Sequence, residues 1–202
     1  MKCIMMLLSL PLSRVFFVSL GLIIGLASIG CTVYEIIGDE KSLLATCDPS
    51  EDMGNLAMND IVDLSDLSFT LDEDMETVYV SGDVKVLLDI PHNAPIKMEV
   101  EVFRLERGTW MPTIITIKRN NLCESLKDPR EFWHVYLMQI SKGQIKCPPD
   151  QGDIYTLNNL TNHLIIKNLP RWDIEGDLKA IVHFSIDKHK SCTAVYSKVY
   201  VK

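Results

Sequence analysis

The segment VYVSGDVKVLLDI, residues 78–90, alternates apolar with mostly polar side chains. Its apolar positions are Val78, Val80, Val84, Val86, Leu88 and Ile90. A period of two places one face of a strand in a core and the other in water, so the segment predicts half-buried β structure. Gly82 interrupts the apolar row, and it predicts either a bulge or a turn between two strands.

Alternation continues on both sides of this segment. After a turn at residues 91–95, residues 96–102 alternate again, and a shift of register to Phe103 predicts a bulge near Val102. Shorter alternating runs occupy residues 67–71, 115–117, 178–186 and 195–201. Short strands separated by turns favour a mainly β fold, either an antiparallel β-sandwich or a β-cup.

One α-helix is predicted within this β sequence, between two cysteines. Asp128 can act as an N-cap, Pro129 suits the first helical position, and Glu131 can close a capping box. Apolar residues then recur at helical spacing, at Phe132, Trp133, Tyr136, Leu137 and Ile140. Gly143 suits the C-cap, so we expect one inserted helix that ends near this glycine.

The N-terminus has the pattern of an export signal. Residues 1–30 carry two positive charges and no acid, and residues 15–29 are uncharged. Small residues at Ser28 and Gly30 suit signal peptidase. The uncharged run is short for a spanning helix, which needs about 20 apolar residues. We expect a signal peptide at 1–30, with an uncleaved signal anchor as the alternative, and a single secreted, extracellular domain at 31–202.

The composition excludes several classes of protein. The 202 residues include 27 acidic and 20 basic side chains, and 47% are hydrophobic, so the chain is not a disordered one. Its negative net charge argues against a nucleic-acid partner or an anionic membrane surface.

The acidic residues are concentrated near the beginning of the domain. Residues 39–76 contain twelve acids and only one base, Lys41. We interpret this run as a solvated surface segment, and the alternatives are a contact for a basic partner or a calcium site. Asp72-Glu73-Asp74 lacks the spaced ligands of an EF-hand loop, so no metal site is expected.

The cysteines indicate an oxidising compartment. Cys3 lies in the expected signal and Cys31 at its end, which leaves four in the domain: Cys47, Cys123, Cys147 and Cys192. None of the four has the close spacing of a zinc ligand pair, so two disulfides are expected, with three pairings open. A bridge between Cys123 and Cys147 would clamp the predicted helix. Asn159-Leu160-Thr161 is an N-glycosylation sequon, so Asn159 is the expected glycosylation site.

No catalytic constellation is present in the sequence. It contains no nucleophile elbow, P-loop, dinucleotide fingerprint or zinc-protease motif. The five histidines are scattered over predicted turns, helix and strands. We therefore expect a protein that is not an enzyme, with no catalytic residue and no cofactor.

The apolar side chains of the sheet and the helix exceed what a minimal core needs. Ordinary packing accounts for any one of them, but a curved sheet capped by a helix can also enclose an apolar ligand cavity. The expected cavity wall comprises Val86, Leu88, Met98, Val100, Trp110, Phe132, Trp133, Tyr136, Ile140, Trp172, Val182 and Phe184. The partner expected from this pattern is a lipid or another hydrophobic small molecule. The alternative is an extracellular protein–protein interaction module with a solid core, which acts through the acidic segment 39–76.

The order of short motifs along the chain resembles a known family. The motifs are Tyr34-Glu35-Ile36, Cys47, the run from Asp63 to Ser68, Asn121-Leu122-Cys123, Cys147-Pro148-Pro149, Leu169-Pro170, Gly176-Asp177 and Cys192. Their arrangement is similar to insect secreted proteins of the MD-2-related lipid-recognition and GM2-activator group, and it is nearest to the chemosensory B-type, pheromone-sensing subgroup. The chain has fewer cysteines than the lipid-recognition and activator proteins usually show.

The resemblance implies a fold, a pairing and a role. The fold is a β-sandwich or β-cup around an apolar pocket, and the pairing is Cys47 with Cys192 alongside Cys123 with Cys147. The role is a secreted, non-catalytic binder of a lipid, hydrocarbon or pheromone in chemosensation, with a membrane receptor or ion channel as a further partner. No ligand-binding residue is transferred by the motifs, and the oligomeric state stays open.

Overall fold

The computed structural model describes residues 32–39, 45–52, 54, 56–131, 133–138, 140, 145–169 and 172–202. Its strands are β1 (Thr32–Gly38), β2 (Ala45–Thr46), β3 (Val62–Asp63), β4 (Ser68–Leu71), β5 (Val78–Val86), β6 (Ile96–Glu106), β7 (Thr109–Arg119), β8 (Ile154–Thr161), β9 (His163–Leu169), β10 (Gly176–Ile186) and β11 (His189–Val201). Its helices are α1 (Met58–Ile61), α2 (Leu122–Ser125) and α3 (His134–Leu137). The pairing is antiparallel, which confirms the mainly β, antiparallel class.

The larger sheet has the strand order β7-β6-β10-β11-β1-β9, and β2 pairs with β11 as its seventh strand. β10 lies between β6 and β11, so the alternating segment 178–186 forms a central strand. The smaller sheet consists of β3, β4, β5 and β8, in which β5 pairs with the other three.

Gly82 lies at a bulge within one continuous strand, so the first of the two predicted alternatives is correct. The pairing of β5 with β8 shifts between Val80 and Gly82. Gly82 has φ +128°, and a Cβ atom at this position would collide with the carbonyl oxygen of Asp66. Only glycine combines this backbone conformation with such a close approach of a second chain segment.

The bulge predicted near Val102 is also present. The pairing of β6 with β7 shifts between Glu101 and Phe103, because β7 contributes three residues where β6 contributes one. The side chain of Thr113 satisfies the freed backbone groups: its hydroxyl donates to Val102 O at 2.8 Å and accepts from Ile115 N at 3.1 Å.

Asn162 joins the two sheets, because the chain passes there from β8 to β9. Its backbone accepts a hydrogen bond from Gly38 N at 2.9 Å and donates one to Val78 O at 3.1 Å. Its side-chain amide accepts from Val78 N at 2.9 Å and donates to Gly38 O at 2.7 Å. β1 of the larger sheet and β5 of the smaller one are thus held by four bonds to one residue.

Two disulfides cross-link the domain. Cys47 is bonded to Cys192, and Cys123 to Cys147, with Cα–Cα distances of 5.9 and 5.2 Å. This is the pairing that the family resemblance implied. The expected signal peptide at 1–30 and Cys31 lie outside the described residues.

The predicted helix is replaced by a series of turns with one short helix. Residues 129 and 130 form a turn, and α3 begins only at His134. Asp128 accepts from the N–H of Arg130 at 3.0 Å and pairs with its guanidinium, while Glu131 binds Arg119. Because both carboxylates have these other partners, the expected capping box does not form. Several of the backbone bonds that follow span three residues rather than four, as in a chain of turns.

Candidate functional site

The larger sheet has one face on which several of the expected wall residues meet. Val182 of β10 lies opposite Val100 of β6, and Phe184 lies opposite Met98. Opposite residues of paired strands point to the same side of a sheet, so these four side chains share one surface. We call the side that they occupy the apolar face.

The apolar face is incompletely covered at its centre. Val182 and Phe184 are only half-buried, although their strand has a neighbour on either side. On the opposite face of the same strand, Lys179 and Ile181 are each only 2% exposed. A central strand buries its apolar side chains when a packed layer covers them, so Val182 and Phe184 are not fully covered, whereas Met98 and Val100 on the same face are buried.

Two other expected wall residues, Leu88 and Trp172, lie at packed clusters. Leu88 and Phe184 pack against the cluster of Ile90, Ile96, Cys123 and Ile186. Trp172 packs against the cluster of Tyr34, Ile174, Leu178 and Val199. The buried Tyr34 hydroxyl fixes this tryptophan segment, because it accepts from Trp172 N at 2.6 Å and lies 3.2 Å from Trp172 O. Val86 is buried on β5 of the smaller sheet.

The turns between β7 and β8 add the ring of Trp133 on the apolar side. The Arg119 guanidinium lies opposite Met98 in register and 5.5 Å from the ring of Trp133. Arg119 also forms two bonds with Glu131, at 2.7 and 2.8 Å, and this carboxylate raises the pKa of the arginine. Burial raises the pKa of Tyr136.

Two further expected wall residues belong to this part of the chain. Ile140 is half-buried. Phe132, an expected wall residue, lies outside the described residues.

Trp110 is separated from the other expected wall residues by the sheet itself. It lies opposite Leu105 in register, and its ring packs edge-on against Tyr196 at 5.7 Å. The ammonium of Lys179 lies 5.5 Å from the same ring. Lys179 and Val182 are three residues apart on β10, so their side chains point to opposite faces of the sheet. Trp110 lies beside Lys179 and is therefore on the face opposite the apolar face.

Sequence reasoning missed the buried Lys179. Its Nζ lies 2.6 Å from Glu51 Oε1 and 3.6 Å from Asp48 Oδ2, and the ring of Phe103 lies 5.6 Å away. Burial disfavours the charged ammonium, but the hydrogen bond and charge of Glu51 outweigh this effect and raise its pKa. Part of the acidic segment 39–76 is therefore bound to the sheet and is not simply solvated. The signal available in the sequence was Cys47, whose disulfide brings these acids over the sheet.

Two of the cavities along the described part of the chain have linings of mixed polar and apolar side chains. One of about 360 Å³ is lined by Asn59, Asp63 and their neighbours. One of about 230 Å³ is lined by Glu99, Glu101, His183 and nearby residues, among which Phe184 is the one expected wall residue. Within the described ranges, no three His, Cys, Asp or Glu side chains are grouped to hold a metal ion.

Asn159, the sequon asparagine, is exposed on β8. It has φ 50°, its N–H donates to the Ser81 hydroxyl at 2.9 Å, and its side-chain oxygen accepts from the same hydroxyl at 3.2 Å. The side chain is thus accessible, and Ser81 fixes its direction.

No protein-family model matches the chain, and no curated protein is significantly similar to it in sequence. In the part of the chain that the structure describes, every helix is too short to cross a membrane. The two disulfides are compatible with an extracellular protein.

Proposed function

We propose that the protein is a secreted, non-catalytic binding protein for a hydrophobic small molecule such as a lipid, a hydrocarbon or a pheromone. The observation that carries this proposal is the half-buried centre of the apolar face, at Val182 and Phe184. Apolar side chains in contact with space that solvent can reach gain free energy when an apolar ligand displaces the water.

The architecture that supports this function is a β-sandwich or β-cup of the lipid-recognition type. The smaller sheet carries a row of buried valines, Val78, Val80 and Val86, which need an apolar partner surface. The bonds of Asn162 hold one end of this sheet beside β1 of the larger sheet. Stacked sheets lie about 10 Å apart, so a modest widening beyond that distance leaves room for an acyl chain.

The energetics favour an unbranched apolar ligand. Each CH₂ group that leaves water contributes about 0.8 kcal/mol, so a long chain binds without a charged or catalytic group. The chemosensory role and the glycosylation of Asn159 belong to the same proposal, supported by the family resemblance and by the exposed sequon. The alternative, an interaction module with a solid core, leaves no such space beside the apolar face.

Uptake of a fluorescent long-chain fatty acid by the delipidated protein tests the proposal. We expect saturable binding at micromolar or lower probe concentration, and competition by unlabelled long-chain esters or hydrocarbons. A Val100→Phe variant should bind less, because Val100 lies on the apolar face, whereas Trp110→Ala should bind as the wild type does. A protein that takes up no probe, or one that responds equally to both substitutions, would refute the proposal.

A further inference from the structure

The hairpin between β4 and β5 exposes apolar side chains at an edge of the smaller sheet. Phe69 and Leu71 of β4 are 48% and 42% exposed, and Met75 in the turn is 73% exposed. We call these three residues the hairpin patch. Clustered apolar side chains on a surface are unfavourably hydrated, and such a cluster is typical of a contact surface.

The backbone beside the hairpin patch is also available. β4 pairs with β5, and no other strand of the described residues pairs with it. Phe69 lies opposite Val80 and Leu71 opposite Val78, so these two apolar side chains share a face of the sheet with the buried valines. An open strand edge offers donors and acceptors that a second extended chain can use.

The chain segment that carries the hairpin patch has acidic side chains but no lysine or arginine. Residues 45–76 include no lysine and no arginine. The acids closest in sequence to the patch are Asp66, Asp72, Glu73, Asp74 and Glu76. None of these five forms an ion pair with another described residue, and His163 acts on Asp74 only at longer range.

Two of these acids hold the turn in place. Asp72 accepts from Glu73 N at 2.8 Å and from the Tyr79 hydroxyl at 3.2 Å. Asp74 accepts from the Thr77 hydroxyl at 2.5 Å and from Thr77 N at 2.7 Å, and these bonds lower the pKa of its carboxyl. The turn therefore stays negatively charged in neutral solution.

We propose that this edge docks an extended segment of a partner protein in which basic side chains alternate with apolar ones. A strand added to β4 places every second side chain beside Phe69 and Leu71, where apolar groups fit. The intervening lysine or arginine side chains are long enough to reach the carboxylates of the turn. An anionic membrane, a nucleic acid and a second copy of this acidic surface are all repelled by the same charges. The inference is independent of the proposed ligand.

The test uses the full mature protein and a defined probe. The probe is a seven-residue peptide of alternating lysine and valine, and the control peptide has glutamate in place of lysine. Binding is measured by fluorescence anisotropy at low salt and at about 300 mM salt, where charge attraction is screened. Amide hydrogen exchange of residues 68–71, with and without peptide, shows whether the contact lies at β4.

Matched variants distinguish docking at this edge from unspecific effects of overall charge and hydrophobicity. Glu73→Lys with Glu76→Lys removes the attraction and leaves Asp72 and Asp74 to hold the turn. The control is Glu175→Lys with Asp177→Lys, two exposed acids elsewhere in the chain. Met75→Asn removes the apolar tip; Met75 has φ 59°, a conformation that asparagine adopts readily. Its control is Met138→Asn, because Met138 directly follows α3 and is 60% exposed.

We expect the lysine peptide to bind, to protect residues 68–71 from exchange, and to bind more weakly at high salt. The double hairpin variant should bind at least about tenfold more weakly, and Met75→Asn about threefold or more, from the loss of charge attraction and of apolar burial. Both control variants should bind as the wild type does. The inference is overturned if the lysine peptide does not bind, if the glutamate peptide binds equally well, or if the controls lose as much affinity as the hairpin variants.

Discussion

Val182→Phe distinguishes a ligand-binding space from a solid core. Val182 is half-buried at the centre of the apolar face, opposite Val100. If space lies beside it, the larger ring fills that space, and roughly 40 Å² of additional apolar surface at about 25 cal/mol per Å² contributes about 1 kcal/mol to stability. In a solid core the same ring must displace its neighbours, which costs about 1–3 kcal/mol.

The assay combines the free energy of unfolding in urea with uptake of a long-chain probe. We expect Val182→Phe to be as stable as the wild type or slightly more stable, and to lose most of its probe binding. Ile181→Phe is the matched control, because Ile181 is the next residue of β10, lies on the covered face and is 2% exposed. It should be destabilised by about 1–3 kcal/mol and, where folded, still bind the probe. Equal destabilisation of the two variants, with unchanged uptake, refutes the reasoning.

Further substitutions test the links around this site. Glu51→Gln should cost about 1.5–3 kcal/mol in urea unfolding, because it removes the charged hydrogen bond of the buried Lys179; no change would mean that the acidic segment is not bound there. Asn162→Ala should lower the unfolding free energy by about 1–3 kcal/mol, since it leaves two backbone groups without partners, and a neutral result would contradict the junction between the sheets. Ser191→Ala should be neutral or stabilising by about 1 kcal/mol without ligand, because the buried Ser191 hydroxyl has no hydrogen-bond partner among the described residues. The hydrogen bonds of Asp128 lower its pKa to about 2 from 3.8, so its contribution is present above pH 3.8 and is lost as the pH falls towards 2; Asp128→Asn should make acid unfolding less steep in this range, as followed by circular dichroism.

The sequence was most informative where a pattern reports on the strand itself. Alternation identified β5, β6 and β10, and interruptions of that alternation located the bulges at Gly82 and near Val102. These features depend on the side-chain period of a strand and on the backbone freedom of glycine, which are both local properties.

The sequence was least informative where a distant residue decides the local structure. Asp128 and Glu131 have the spacing of a helix start, but Glu131 binds Arg119, which lies in a preceding strand. The pattern within the segment contains no trace of that arginine, so the helix prediction was wrong about its beginning and its length. Tertiary context commonly overrides local helix preferences of this kind.

In the candidate site, too, residues that a local pattern positions could be predicted, and residues that depend on distant partners could not. Met98, Val100, Val182 and Phe184 come together because alternation within paired strands is enough to place them on one face. Trp110 and Lys179 could not be placed in this way. The face that Trp110 occupies depends on the register of β7 before its bulge. The burial of Lys179 depends on the acids that Cys47 brings over an outwardly directed position. A polar residue at an alternate strand position looks solvent-exposed until the segment that covers it is known.

The binding of an apolar ligand can be tested by native mass spectrometry. The protein is secreted from eukaryotic cells and measured before and after extraction with organic solvent. We expect a protein mass with two disulfides and an additional apolar molecule that organic solvent removes and a long-chain fatty acid restores. A bare polypeptide mass that stays unchanged after incubation with fatty acids and long-chain esters would contradict the binding space beside the apolar face.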